Sequence, residues 1–159
     1  MPFAVRSADP EDKAWVDALV MERWGAQVVV TRGRVLRPSE LAGFVAEEEG
    51  RALGLITYEV RGGQCEIVTL DSLSEGAGVG SALVEAAREV ARKAGCKRVW
   101  LITTNDNLKA VRFYQKRGFA LAALHRGAIA ESRRLKPSIP HTGEDGIPIR
   151  NEIEMEMAP

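Results

Sequence analysis

The chain has 159 residues, enough for one domain with a buried core. Its 22 Lys and Arg balance 22 Asp and Glu, so no global field draws it to nucleic acid or to an anionic membrane surface. A content of 45% hydrophobic and 28% charged residues is that of a soluble globular protein, and no apolar run approaches the roughly 18 residues that span a bilayer.

Taken in order, Phe3 to Arg6 predicts a short opening strand. Ser7 or Asp9 can cap a helix that has Pro10 in its first turn, then Trp15, Leu19 and Val20 at helical spacing. Gln27 to Thr31 is a β-branched strand followed by Arg32, Arg34 and Arg37, a basic patch that reads as a solvated hairpin or as an anion-recognising edge. Strands over Leu41 to Glu47 and Ala52 to Val60 are joined by a turn at 48–51, and Gly62-Gly63 turns the chain into a strand over Cys65 to Leu70. Ser74 to Leu83 then carries three glycines in five residues and opens a helix with Val79, Leu83, Ala86, Val90 and Ala94 on one face. Gly95 ends that helix, and Arg98 to Thr104 supplies a strand parallel to the one before the glycines.

A second helix opens at Asn107 and closes at Gly118, followed by a strand over Ala120 to Leu124. Ala128 to Lys136 predicts a short helix stopped by Pro137, and 138–149 holds two prolines and two glycines, hence an irregular loop. Glu152, Glu154 and Glu156 alternate with Ile153, Met155 and Met157, a final strand with one wet face. Meander strands leading into a strand–glycine turn–helix–strand unit imply a mixed α/β sheet with helices on both faces. Cys65 and Cys96 sit on different elements without metal spacing and with no signal peptide ahead of them. Buried reduced thiols in a cytoplasmic protein are expected, and no metal.

A strand, a glycine turn and a helix N-terminus aim backbone N–H groups at an anion. The anion is not the triphosphate of Gly-x-x-x-x-Gly-Lys-Ser/Thr loops, because no lysine is present. A dinucleotide fingerprint is also incomplete: its sixth position is Ser81, and Asp106 ends a strand too far along to hold a ribose. The competing reading is a tight turn that only lets the helix pack on the sheet. The second helix adds a polar cap, a small residue and a phenol on one stripe, at Asn107, Ala110 and Tyr114.

Together these stretches resemble the GNAT superfamily of acyl-CoA-dependent N-acyltransferases. Its glycine turn commonly reads Arg/Gln-x-x-Gly-x-Gly/Ala and its later helix Asn-x-x-Ala-x-x-Phe/Leu-Tyr-x-Lys-x-Gly-Phe. Here the first is Glu75-Gly76-Ala77-Gly78-Val79-Gly80, with Glu75 where Arg or Gln is usual, and the second is matched from Asn107 to Phe119. The resemblance implies one acyltransferase domain over 1–159, with 126–150 an inserted helix and loop that is either a lid over the acceptor or a plain surface connection. It implies a mostly antiparallel sheet of six to seven strands, two splayed parallel strands at its centre, and acetyl-CoA as co-substrate without a metal.

By the same resemblance, the end of the first parallel strand up to Leu73 would pair with the pantetheine arm, and Gly76, Ala77, Gly78, Val79, Gly80 and Ser81 would hold the pyrophosphate. Asn107 would contact the arm and Lys116 the nucleotide end. Tyr114 would protonate the leaving thiolate; a packed helical tyrosine is the alternative. Glu66 and Asp71 are candidates to take the ammonium proton, with His125 a third. Trp15 and Trp24 are read as packing, with a place beside the acceptor as the alternative. The implied partners are acetyl-CoA and an amine, with no nucleic acid or membrane, in a monomer or homodimer. The implied reaction is N-acetylation of a primary amine by direct attack. A catalytically silent acyl-CoA-binding or regulatory module is the other reading, favoured by Glu75.

Overall fold

The computed structural model describes residues 2–74 and 76–159; Glu75, the departure in the glycine motif, lies outside the described residues. In chain order the main elements are β1 (Ala4–Ser7), α1 (Lys13–Trp24), β2 (Val29–Thr31), β3 (Arg34–Leu36), β4 (Ala42–Glu48), β5 (Arg51–Arg61) and β6 (Gln64–Ser72). They continue as α2 (Val79–Lys93), β7 (Arg98–Thr104), α3 (Leu108–Lys116), β8 (Ala120–His125), α4 (Ala128–Leu135) and β9 (Glu152–Met157). Seven strands pair in the order β1-β4-β5-β6-β7-β9-β8, and β2 with β3 forms a separate hairpin. Within the seven-stranded sheet every pairing is antiparallel except that of β6 with β7. Among the described residues no helix is long and apolar enough to cross a membrane.

Strand alternation sorts the core onto the two faces. Val45 and Leu55 pack on Val16, Leu19 and Val20 of α1, while Ala46 and Ile56 pack on α2, joined by Leu53, the extra residue of a bulge in β5 that breaks the alternation. α1 is entered through a capping box, in which the Asp9 carboxylate accepts from Glu11 N–H and Asp12 reaches back to the Asp9 backbone. The buried stripe of α2 is Val79, Leu83, Val84, Ala87 and Ala91, whereas Ala94, expected on that stripe, is exposed at the helix end. The stripe follows the i, i+4 row, because the small side chains at 87 and 91 let the helix lie close on the sheet.

One extra residue in β6 shapes everything downstream. Thr57 of β5 faces Thr69 but Tyr58 faces Ile67, so Val68 is a bulge. A bulge bends its strand and ends regular pairing. The parallel ladder to β7 accordingly runs from Gln64↔Arg98 only to Ile67↔Leu101. Beyond it β6 continues to Ser72 along β5, and β7 continues to Thr104 along β9. The two strands splay, leaving their facing backbone groups to line a gap.

Two expectations change here. The glutamate face of β9 is wet only toward its end, where the Glu156 side chain is 44% exposed. Its Glu152 is only 2% exposed and its Glu154 is held by Arg98 at 2.7 Å and by His125 at 2.9 Å. Polar alternation marks a face, but cations distant in sequence cover most of that face here. The basic hairpin is likewise neutralised within the fold, through Arg32–Glu152, Arg34–Glu59 and Arg37–Asp17 ion pairs. Cys65 and Cys96 are buried, and burial pushes the Cys65 thiol up to about 12.

Candidate active site

Immediately after β6 the chain enters the glycine turn. Gly76 and Gly78 have φ of +77° and +78°, and the position a Cβ would take at either is open to 4 Å. Glycine is required there by conformation, and the vacated side admits a ligand close to the backbone. Gly78 is the N-cap of α2, so the first-turn N–H groups of Val79, Gly80 and Ser81 have no partner within the helix. The Val79 side chain itself lies in the core, leaving its amide for this purpose. Gly80 has a second reason for lacking a side chain, since a Cβ would sit 3.0 Å from the Phe113 ring of α3.

A cation beside this turn is Arg117, which sequence reasoning passed over. Its Nε donates to Ser81 Oγ at 2.9 Å and its guanidinium lies 4.0 Å above the Phe113 ring. Lys116 is exposed on the outer side of α3, beside Arg112 and Gln115. Leu73 is 39% exposed, but its N–H already donates to Leu53 O at 2.7 Å, which leaves its carbonyl and side chain for a ligand.

The gap between the splayed strands holds a cavity of about 310 Å³ lined by Val68, Leu70, Asp71, Asn107, Ala110 and Tyr114, among others. Asn107 caps α3, its side-chain oxygen accepting from Ala110 N–H at 3.2 Å. Tyr114 is 7% exposed, its ring set edge-on between Phe113 and Phe119 with centroids 5.2 Å from each. Burial first, and the charge of Asp71 second, push its phenol well above the ordinary range, so it is protonated at neutral pH. Asp71 is itself buried, and among the described residues its Oδ2 has no hydrogen-bond partner. Burial raises this carboxyl, opposed by the Trp24 indole N–H and the Arg23 charge.

A second cavity of about 420 Å³ adjoins the first, sharing Trp24, Ile67, Val68, Ile102 and Thr103 as walls. Glu66 opens onto it from β6, 4% exposed, accepting from Thr31 Oγ1 at 2.6 Å. Burial raises its carboxyl, with the Thr31 hydroxyl and Arg34 pulling the other way. The inserted segment forms much of the remaining wall, including Ile129, Ser132, Lys136 and Ile139.

The structure thus groups Tyr114 and Asp71 in one cavity and puts Glu66 in the next, with Asn107 lining both, and the glycine turn follows the end of β6. His125 lines neither cavity and is tied to Glu154. Trp24 lines both, while Trp15 packs against the α1 core. Thr31, Ser132, Lys136 and Glu152 were not singled out from sequence. The available signal was the spacing of Ile129, Ser132 and Lys136, which places an apolar, a hydroxyl and a cationic side chain on one helical stripe.

Comparison with known proteins agrees with this geometry. The model of the acetyltransferase (GNAT) family matches residues 7–119. The Bacillus subtilis (strain 168) protein YdhI is 47% identical over 133 residues, 83% of each chain. Among solved structures, the IAA acetyltransferase from Bacillus cereus ATCC 14579 superposes with a TM-score of 0.74 at 21% identity, over 99% of this chain and 100% of that one. A Bacillus subtilis acetyltransferase in complex with CoA does so with a TM-score of 0.70 at 17% identity, over 99% of both. A mostly antiparallel sheet with one splayed parallel pair, a glycine turn on a helix and a matching family model across most of the chain have one conclusion: the protein belongs to the GNAT family of acetyltransferases.

Proposed function

We propose that the protein moves an acetyl group from acetyl-CoA to a primary amine by direct attack of the amine on the thioester. The observation that carries this is a buried phenol, Tyr114, lining one strand gap with a buried Asp71 carboxylate oxygen that has no hydrogen-bond partner among the described residues, on a strand that runs on into the glycine turn. The residues fit the co-substrate: the open sides of Gly76 and Gly78 leave room for a pyrophosphate at the amides from Gly76 to Ser81, Ala77 included. Arg117 adds positive charge beside Ser81. The unpaired edges of β6 and β7 offer hydrogen bonds to an amide-bearing arm, with Asn107 beside it.

Glu66, in the larger cavity, takes the proton of the incoming ammonium through water, and the free amine then attacks the thioester carbonyl. The C–S bond breaks with its electrons on sulfur, the phenol of Tyr114 supplies the proton that the thiolate takes up, and the second proton lost from the amine nitrogen as the amide forms returns through water to the phenolate. Burial, with the charge of Asp71 second, keeps the phenol protonated until the thiolate charge develops. Carboxyls raised by burial suit this work, because a base is most effective when its pKa approaches the working pH. The test is thiol release from acetyl-CoA against a broad amine panel. Release with formation of an N-acetyl product supports the proposal. Tight acetyl-CoA binding with no product from any amine replaces it with the silent module.

A further inference from the structure

Resting on that reading, we infer that the acceptor is a zwitterion, an amino acid or a molecule of that type, whose carboxylate is bound at Lys136 while its amine faces Glu66. The larger cavity is electrically polarised, and each of its charged groups can be accounted for. Glu152, on β9, spends one carboxylate oxygen on Arg32 and the other on Ser132, both at 3.1 Å. Asp106 spends its oxygens on the Thr104 hydroxyl at 2.5 Å and the Glu144 N–H at 3.2 Å. Glu66 has the Thr31 hydroxyl for company, a bond without charge, and so keeps its negative charge available to an ammonium.

Lys136 is the counterpart at the other wall. It is 8% exposed, and its Nζ donates to the Trp24 carbonyl at 2.8 Å. No carboxylate lies within 4.0 Å of that nitrogen among the described residues. An ammonium has three N–H groups and one of these is spent. Burial presses its pKa down, and a carboxylate bound beside it would oppose that shift. Arg23, exposed in the last turn of α1 beside Trp24, adds a second cation at the same end of the cavity. A free amine is bound at the anionic sheet wall next to the thioester gap, and a carboxylate at the cationic wall formed where α4 meets the end of α1. At about 420 Å³ the cavity holds a whole amino acid.

The rival explanation is that Lys136 only ties α4 to the carbonyl end of α1, where a cation is favourable in any case. That structural role would affect every acceptor alike, so the test compares acceptors that differ in the carboxylate alone. Lysine, tyrosine, tryptophan and histidine would be assayed against cadaverine, tyramine, tryptamine and histamine, and against the corresponding amino-acid amides. The remaining common amino acids complete the panel. The expected result is an amino acid used at least 100-fold better, in kcat/KM, than its amine or amide. Lys136→Met should raise KM for that amino acid 10- to 100-fold, with kcat within threefold and kcat/KM for the amine unchanged. Lys136→Arg should keep most of the preference.

Equal use of amines, amides and amino acids, or an equal effect of Lys136→Met on all three, overturns the inference while leaving the acetyltransferase reading intact. Calorimetry of N-acetyltryptophan and N-acetyltryptamine, with coenzyme A present, gives a readout that does not need turnover. Binding of the former that Lys136→Met abolishes supports the carboxylate site even if no amine is acetylated. Equal binding of both by the parent protein refutes it.

Discussion

Tyr114→Phe separates the chemistry of this site from its packing. The ring sits between Phe113 and Phe119 and is almost fully buried, so losing it altogether would cost about 3–5 kcal/mol. Phe keeps the ring and its edge contacts. Removing the hydroxyl should change stability by no more than about 1 kcal/mol, the scale of one hydrogen bond. Against a domain stability of roughly 5–15 kcal/mol, that leaves the variant folded. The effect on turnover should be larger. General-acid assistance is worth roughly 100- to 10,000-fold, and a thiolate leaves well enough unaided that the lower end applies. A 100-fold loss corresponds to about 2.7 kcal/mol of transition-state stabilisation. Since the phenol is held far above neutrality, it does not set the acidic limb of the pH profile, and that limb should survive in the variant. The assay is kcat for thiol release under saturating acetyl-CoA and acceptor, with coenzyme A affinity measured by calorimetry alongside. Loss of turnover with unchanged affinity is the expected pattern. Parental turnover in the Phe variant would remove the hydroxyl from the mechanism.

Gly78→Val places a β-branched side chain at φ +78° and fills the open side of the turn. A strain of about 1–2 kcal/mol should leave the far-UV dichroism native while coenzyme A affinity collapses. Retained affinity would show that the turn is not the anion site. Asp71→Asn should stabilise the protein at neutral pH. Burial raises the carboxyl in the folded state, so the native protein holds its proton longer than the unfolded chain and loses stability as pH rises through the raised value. Denaturant titrations from the acidic range to neutral should show the Asn variant gaining on the parent as pH increases, and a parent more stable at neutral pH would mean that an unrecognised donor pairs with Asp71. Arg32→Ala leaves the buried Glu152 carboxylate with Ser132 alone, and should cost roughly 1–3 kcal/mol in urea unfolding. Adding Glu152→Gln should recover much of that loss, and no recovery would mean that Arg32 matters for the hairpin rather than for the charge.

Local chemistry explains why the proposed co-substrate half of the site can be outlined from the sequence. The glycine turn, the α2 stripe and the Asn107–Tyr114 spacing are each set by residues within one or two turns of each other. The acceptor half is not legible in this way. Glu66 meets Thr31 across 35 positions, and Glu152 meets Arg32 across 120. Lys136 finds the Trp24 carbonyl across 112. No period or motif joins such pairs; tertiary packing of the inserted helix against α1 and the hairpin does. The same cause misled the reading of β9, whose alternating glutamates look solvated until the distant cations that cover them are placed. The splay of β6 and β7 rests on one bulged residue, Val68, which in sequence is an ordinary β-branched strand position.

The central claim is that the gap past Val68 holds the acyl-CoA arm with its thioester between Tyr114 and the Glu66 cavity. A crystal structure of the protein with coenzyme A tests it most directly. The expected result is the pyrophosphate on the amides from Gly76 to Ser81, the arm along the free edge of β6, and the sulfur within about 3.5 Å of the Tyr114 hydroxyl. Coenzyme A bound with its sulfur outside that gap, with Tyr114 still packed and remote from it, would contradict the account.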